Sequence, residues 1–243
     1  MQVQTRQGPA YGVARITLAG GEEVKVESGA MMAMSAGVTL HSKAEGGMLK
    51  SLKRAALGGE SFFVSTYTAP SQGGFVDVAA RLPGDIISYE VQPALPLFIQ
   101  KGSWLANANG VTIDAQWGGF KNLFGSEGGF IVRAEGSGPV VFACYGALEV
   151  WDLAAGQTIS LDTGHMVAYE STVSMQLRKV TGGLVQTFKS GEGLVLDFTG
   201  PGRIWSQTRN PSELLGWIKA AIGTGNSGPS GMGGALGGLL GRD

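Results

Sequence analysis

The sequence contains few cysteine and histidine side chains, two types that often act in catalysis. The chain contains one cysteine, Cys144, and two histidines, His41 and His165. Asp162 lies three residues before His165, and a carboxylate at that spacing could orient the histidine as a general base. The lone cysteine excludes an internal disulfide and every CxxC redox or metal motif, and the HExxH metal-binding pattern is absent as well.

Three glutamates at comparable places in the sequence could form a metal site. Glu60, Glu127 and Glu192 each adjoin glycine or serine shortly before an apolar run. If folding brought them together, three carboxylates could bind a hard cation such as calcium. Each also suits a solvated turn, which is the simpler interpretation. We therefore predict neither a metal site nor a cofactor, and whether the three glutamates converge stays open.

The strongest candidate for binding is a segment of residues 46–60 with a helical pattern. Met48, Leu49 and Leu52 fall on one face of this segment, and its other face is basic, with Lys50, Lys53 and Arg54. Apolar residues recur at two comparable places, namely Phe120, Leu123 and Phe124, and Phe188. Two interpretations remain open: these residues cap the ends of the folded body, or they form docking tips for a protein partner or an anionic membrane surface.

Short β-strands are the elements that must position these residues. Apolar and polar residues alternate in many segments, as at Val24 and Val26, the pattern of a half-buried strand. Aligning the chain on Gly29, Gly102 and Gly164 superposes aliphatic residues at five and three positions before each glycine and alanines at four positions after it. The spacing predicts three internal repeats, at about 22–90, 95–157 and 158–209.

These repeats predict an all-β domain over residues 1–210. One repeat alone would expose an apolar sheet face, and three could bury those faces around a pseudo-threefold axis. The sequence also predicts a C-terminal helix over 211–222. Its start is indicated by Asn210 as the N-cap, Pro211 at the first helical position and the acidic Glu213 in the first turn. Residues 223–243 are rich in glycine and predict a flexible tail.

The same alignment argues against catalysis. His165 falls at the position of Ala30 and Ser103, directly after the aligned glycine, so this position does not require a histidine. Cys144 lies in an apolar strand, where a buried, unreactive thiol is expected. We therefore predict no catalytic residues and no enzyme activity.

The charge and the apolar runs of the sequence indicate which binding partners and which cellular location to expect. The formal net charge is −1, so the chain has no overall basic field to hold nucleic acid, which is not an expected partner. No run of about 20 apolar residues occurs, and the N-terminal residues lack the apolar core of a secretory signal. A cytoplasmic location is therefore expected.

Four segments carry a resemblance to a known family. They are GAMMAM at 29–34, GGES at 58–61, LDTGHMVAYE at 161–170 and TGPGRIWSQTR at 199–209. In combination they resemble the altered-inheritance-of-mitochondria protein 24 family over about residues 12–210. The resemblance implies a fold similar to that of the tryptophan RNA-binding attenuation protein, in three fused copies. It carries no established catalytic residues, and mitochondrial relatives are associated with inner-membrane organisation.

These observations predict a non-enzymatic interaction or scaffold protein. Its docking tips would contact a protein partner or a membrane surface, and the chain could also form a homo-oligomer. The alternative is a nucleic-acid or small-ligand binding protein, because the implied fold occurs in an RNA-binding protein. Fold alone does not decide between the two.

Overall fold

The computed structural model describes residues 1–41, 64–116, 131–179 and 194–222. Within these ranges the chain forms nineteen β-strands, whose ladders are all antiparallel, and one α-helix. The predicted all-β class with a C-terminal helix is confirmed. Alternating apolar residues account for the strands, since Val24 and Val26 are fully buried while their neighbours are partly exposed.

After β1 (Gln2–Arg6), the strands fall into three sets of six. The first set is β2 (Val13–Leu18), β3 (Glu23–Glu27), β4 (Met31–Met34), β5 (Thr39–His41), β6 (Val64–Thr68) and β7 (Gly74–Ala79). The second set is β8 (Ile86–Val91), β9 (Leu97–Gln100), β10 (Trp104–Ala108), β11 (Val111–Gln116), β12 (Ile131–Gly136) and β13 (Gly138–Ala143). The third set is β14 (Leu148–Leu153), β15 (Thr158–Asp162), β16 (Met166–Glu170), β17 (Ser174–Lys179), β18 (Leu194–Thr199) and β19 (Gly202–Gln207).

Each set pairs its strands in the same order and is called a repeat from here on. In the first repeat, β7 pairs with β2 and β4, and β6 pairs with β3 and β5. The second repeat has the orders β8-β13-β10 and β9-β12-β11, and the third has β14-β19-β16 and β15-β18-β17. The boundaries expected from sequence, at 22, 95 and 158, begin one strand later than these sets. The difference arises because β8 pairs with β13 and β14 with β19, so each belongs with the strands that follow it.

Two ladders join consecutive repeats. Strand β10 pairs with β3, and β16 pairs with β9. The described strands therefore form four sheets, with the orders β1-β2-β7-β4, β5-β6-β3-β10-β13-β8, β11-β12-β9-β16-β19-β14 and β15-β18-β17. No ladder among the described strands joins the third repeat back to the first, so the pseudo-threefold axis stays a prediction.

Three hydrophobic cores hold the sheets together. The first core joins the first and second sheets, for example through Ile16 and Val141. The second joins the second and third sheets around Trp104 and Phe142, and the third joins the third and fourth sheets around Phe198. The two inner sheets are buried on both faces, because each contributes to two cores.

The body of sheets ends at Arg209, and a second unit begins at Asn210. Its helix, α1 (Pro211–Ile222), starts as predicted, because the Asn210 side-chain oxygen accepts a hydrogen bond from the Ser212 N–H at 2.9 Å. Trp217 and Ile222 on this helix are exposed. In the described part of the chain, no helix combines the length and the apolar character that crossing a membrane requires.

Candidate interaction site

The docking tips expected from sequence lie outside the described residues. Met48, Leu49, Lys50, Leu52, Lys53 and Arg54 fall in the range 42–63, Phe120, Leu123 and Phe124 fall in 117–130, and Phe188 falls in 180–193. The three glutamates Glu60, Glu127 and Glu192 fall in the same ranges. Docking by these tips and convergence of these carboxylates therefore remain predictions.

The side chains of Asp162 and His165 are engaged with different backbone groups. The Asp162 carboxylate accepts a hydrogen bond from the Gly164 N–H at 2.8 Å, which caps the turn before β16. His165 Nδ1 donates to the Gln207 carbonyl oxygen at 2.6 Å. The Gln207 side chain returns a hydrogen bond to the Gly164 carbonyl at 2.9 Å. This network holds the turn against the end of β19.

Cys144 is buried, as the sequence predicts. Only 3% of its surface is exposed, and its thiol lies 3.4 Å from the Gly146 carbonyl oxygen, to which it donates. Burial raises the pKa of the Cys144 thiol, because a thiolate loses its hydration in the core. The neutral thiol is a poor nucleophile.

Most arginines of the described residues are paired with carboxylates. Within those residues, no group of three or more histidine, cysteine, aspartate or glutamate side chains is arranged to hold a metal ion. Most arginines face a carboxylate, in the pairs Arg6–Asp77, Arg15–Asp77, Arg81–Glu27, Arg133–Glu135, Arg178–Asp197 and Arg203–Asp152. A groove that binds nucleic acid would instead leave such cations to phosphate.

Asp77 is a buried charge that the sequence analysis missed. It is 1% exposed, and its two oxygens accept hydrogen bonds from Arg6 at 2.8 Å and from Arg15 at 2.9 Å. The bonds from Arg15, more than those from Arg6, lower the pKa of Asp77 to about 2. Side chains alternate between the two faces of a strand, so an aspartate between Val76 and Val78 fits a solvent-facing position, and the local pattern does not signal its burial.

Strand β4 differs from its counterparts in how many neighbours it has. Strands β10 and β16 each pair on both sides, once within their repeat and once with the preceding repeat. Strand β4 lies in the first described repeat, and among the described strands it pairs only with β7. We call its unpaired side, Met31–Met34, the open edge of β4.

The missing neighbour leaves apolar side chains exposed. Met32 is 51% exposed and Met34 is 42% exposed. At the position of Met32, the second repeat has Leu105, which is 2% exposed, and the third has Val167, which is fully buried. The repeat alignment placed these residues together, but sequence alone did not show that the first copy lacks its neighbour.

Strand β15 forms the matching edge at the other end of the body. Its counterparts β3 and β9 pair with the following repeat, whereas among the described strands β15 pairs only with β18. Ile159 and Leu161 on β15 are partly exposed, while Leu97 and Ile99 on β9 are fully buried. We call this unpaired side, Thr158–Asp162, the open edge of β15. An unpaired edge carries backbone N–H and C=O groups that can bind another strand.

Comparison with known proteins gives a family and a fold. A family model described as "Mitochondrial biogenesis AIM24" matches residues 3–209. An uncharacterised protein of Streptococcus pyogenes serotype M6 is 26% identical over 222 residues, which cover 88% of each chain. The crystal structure of a Streptococcus pyogenes protein superposes with a TM-score of 0.75 at 24% identity, covering 90% of this chain and 99% of that one. This structural likeness shows a shared fold.

Proposed function

The chain belongs to the mitochondrial biogenesis AIM24 family, and from this premise we propose that it is a non-enzymatic scaffold protein that binds protein partners through its sheet edges. The sheets form the rigid body of the scaffold, and the open edge of β4 is its main contact surface. The proposal includes a cytoplasmic location, which fractionation of the source cells tests.

One observation carries this proposal. The open edge of β4 exposes Met32 and Met34, although the residues at the position of Met32 are buried in both other repeats. Isolated exposed apolar residues are common on protein surfaces. Two such residues on a strand with one unpaired side are different, because that side offers a partner backbone hydrogen bonds and apolar contacts together.

The reactive side chains of the body support a structural role for it. Asp162 accepts a hydrogen bond from a backbone N–H of its turn, and His165 donates to the Gln207 carbonyl of β19. Cys144 is buried, and Asp77 is held by two arginines. These groups are engaged within the fold. The proposed function is therefore binding of a partner rather than catalysis.

The test is capture of partners from the native lysate with the immobilised full-length chain. Met32→Glu places a negative charge on the open edge of β4. Lys50→Glu/Lys53→Glu reverses two positive charges in the basic segment of residues 46–60. Leu177→Glu is a matched control, because Leu177 is an exposed apolar residue elsewhere in the body, 42% exposed. We expect a partner that Met32→Glu releases by at least about tenfold and Leu177→Glu retains, because a charge is costly to bury.

The variant Lys50→Glu/Lys53→Glu tests whether the partner binds the docking tips instead of the open edge of β4. Loss of the partner with Lys50→Glu/Lys53→Glu alone would move the contact to the docking tips and contradict the role of β4. Capture unchanged by both variants, or no specific partner at all, would contradict the scaffold function.

A further inference from the structure

We propose that the open edge of β4 binds the open edge of β15 on a second copy of this chain, so that copies assemble head to tail. This inference rests on the proposed scaffold function and names its partner. It follows from the way the chain already joins its own repeats.

The two junctions inside the chain use the same pairing. At the first junction, Ala106 of β10 lies opposite Val26 of β3, and Asn107 lies opposite Lys25. At the second, Ala168 of β16 lies opposite Ile99 of β9, and Tyr169 lies opposite Phe98. In both junctions, the alanine lies four residues after the aligned glycine of its own repeat. The aliphatic residue opposite it lies three residues before the aligned glycine of the preceding repeat. The junction is thus a repeated geometry that tolerates different side chains.

The two open edges are the two halves of that junction. Transferring the register places Ala33 of one copy opposite Leu161 of the next, and Met34 opposite Ser160. Antiparallel strands in this register bring the paired side chains within about 5.5 Å at their Cβ atoms. A third junction of the same type would then form between chains.

The backbone of β4 already has the shape that this junction needs. The pairing of β10 with β13 shifts register between Trp104 and Ala106, and that of β16 with β19 shifts between Met166 and Ala168. Strand β4 has the corresponding shift between Met31 and Ala33, although none of the described strands pairs with its other side. The shift belongs to the repeat, so the open edge of β4 needs no rearrangement to accept a strand.

The chemistry of β4 also favours a partner strand. Proteins usually protect exposed edges with charged residues or proline, which discourage pairing. The four residues Met31–Met34 include neither. Burial of Met32 against the third core of the next copy, and of Ile159 and Leu161 beneath β4, would remove apolar surface from water.

The end face of the first sheet limits how far the contact extends. Asp77, with Arg6 and Arg15, occupies the position of Val141 and Trp205, which lie in the first and second cores. The contact between chains is therefore centred on the strand edge and is weaker than the internal junctions. Because the two edges are different surfaces, the assembly is heterologous and produces rings or open chains.

Cross-linking between two variants that each carry one added cysteine tests the register. Full-length Met34→Cys and Ser160→Cys chains are mixed under mild oxidation, with the wild-type chain as a blank for Cys144. We expect at least about tenfold more cross-linked dimer in the mixture than in either variant alone. In the matched control, Met34→Cys is mixed with Thr158→Cys instead of Ser160→Cys. Thr158 lies two residues from Ser160 on β15, so it would be a diagonal neighbour of Met34 at about 7–8 Å and should cross-link poorly.

Light scattering after size-exclusion chromatography measures the assembly itself. The purified wild-type chain should form species larger than the 25.1 kDa monomer, in a concentration-dependent way. Met32→Glu should raise the dissociation constant at least about 100-fold, since the new carboxylate would be buried without a partner. Leu177→Glu should assemble like wild type. Circular dichroism then verifies that both variants keep the β fold, which the 51% exposure of Met32 leads us to expect.

The outcomes separate this inference from the proposed function. A wild-type chain that stays monomeric at high concentration, or equal cross-linking with Met34→Cys alone, overturns the head-to-tail pairing. The scaffold function survives that result if Met32→Glu still abolishes capture of a different protein from the lysate. If neither self-assembly nor capture responds to Met32→Glu, both proposals fail.

Discussion

The hydroxyl of Tyr89 donates a hydrogen bond to Glu170 Oε1 at 3.0 Å and so connects β8 of the second repeat to β16 of the third. The other carboxylate oxygen of Glu170 accepts a hydrogen bond from the Arg203 N–H at 2.9 Å. Burial, together with the neighbouring Glu170 carboxylate, raises the pKa of Tyr89 to about 12, so the hydroxyl keeps its proton at neutral pH. The pair joins two repeats through side chains, in addition to the backbone ladder.

Replacing Tyr89 by phenylalanine should weaken this connection. Tyr89→Phe removes the donor to a charged acceptor and should lower the free energy of unfolding by about 1 to 2 kcal/mol. Urea denaturation measures the change. Tyr11→Phe is the control, because Tyr11 is 73% exposed and its replacement should change stability little. Equal stability of Tyr89→Phe and wild type would show that the hydrogen bond contributes nothing net.

Stability should depend on pH through Asp77. The pKa of Asp77 is lowered to about 2 in the folded chain, from an ordinary value of 3.8. Its contribution is therefore fully present above the unfolded pKa and is lost as pH falls through the folded one. The expected loss is about 2 kcal/mol. Urea denaturation at several pH values between 6 and 1.5, a range that extends below the folded pKa, measures it.

Two variants separate Asp77 from the other carboxylates. Asp77→Asn should be destabilised at pH 6, and its difference from wild type should shrink as pH falls, because wild-type Asp77 then becomes protonated. Asp152→Asn should have a much smaller effect, since Asp152 is largely exposed and its pair with Arg203 is screened by solvent. A constant difference between Asp77→Asn and wild type across this pH range would rule out the assigned role.

The thiol of Cys144 should be protected in the folded chain. Because Cys144 is buried and its pKa is raised, it should react with a disulfide reagent at least about 100-fold more slowly in buffer than in strong denaturant. Cys144 is the chain's one cysteine, so the colour change of the reagent reports this site alone. Rapid reaction of the native protein would show that the strand around Cys144 opens readily.

Gly84 should not tolerate a side chain. A Cβ at this position would overlap the carbonyl oxygen of Cys144, a backbone atom next to the bridge between Gly84 and Gly146. Gly84→Ala should lower the free energy of unfolding by about 3 kcal/mol, measured by urea denaturation. Gly102→Ala is the matched control, because no atom lies within 4 Å of its added Cβ. If both variants were equally stable, the close approach at Gly84 would not constrain the fold.

Much of the fold could be predicted because it depends on local patterns. Alternating residues such as Val24 and Val26 indicate strands, and Asn210 with Pro211 indicates the start of the helix, because those features act over a few positions. The repeat alignment brought Met32, Leu105 and Val167 to one position. The binding site was harder to predict, because a strand's partner comes from a distant part of the chain. The docking tips chosen from sequence still await a test, and the open edge of β4 was not recognised.

The sequence by itself determined the β class and the C-terminal helix, and it predicted a threefold repetition. Only the tertiary structure decided which strand edges stay unpaired and that Asp77 would be buried beside Arg6 and Arg15. The physical reason is that a side chain is buried by what packs on it. Met32 and Val167 have equivalent places in their repeats, yet Val167 is covered because β9 pairs with its strand, and Met32 is exposed because no described strand pairs with that side of β4.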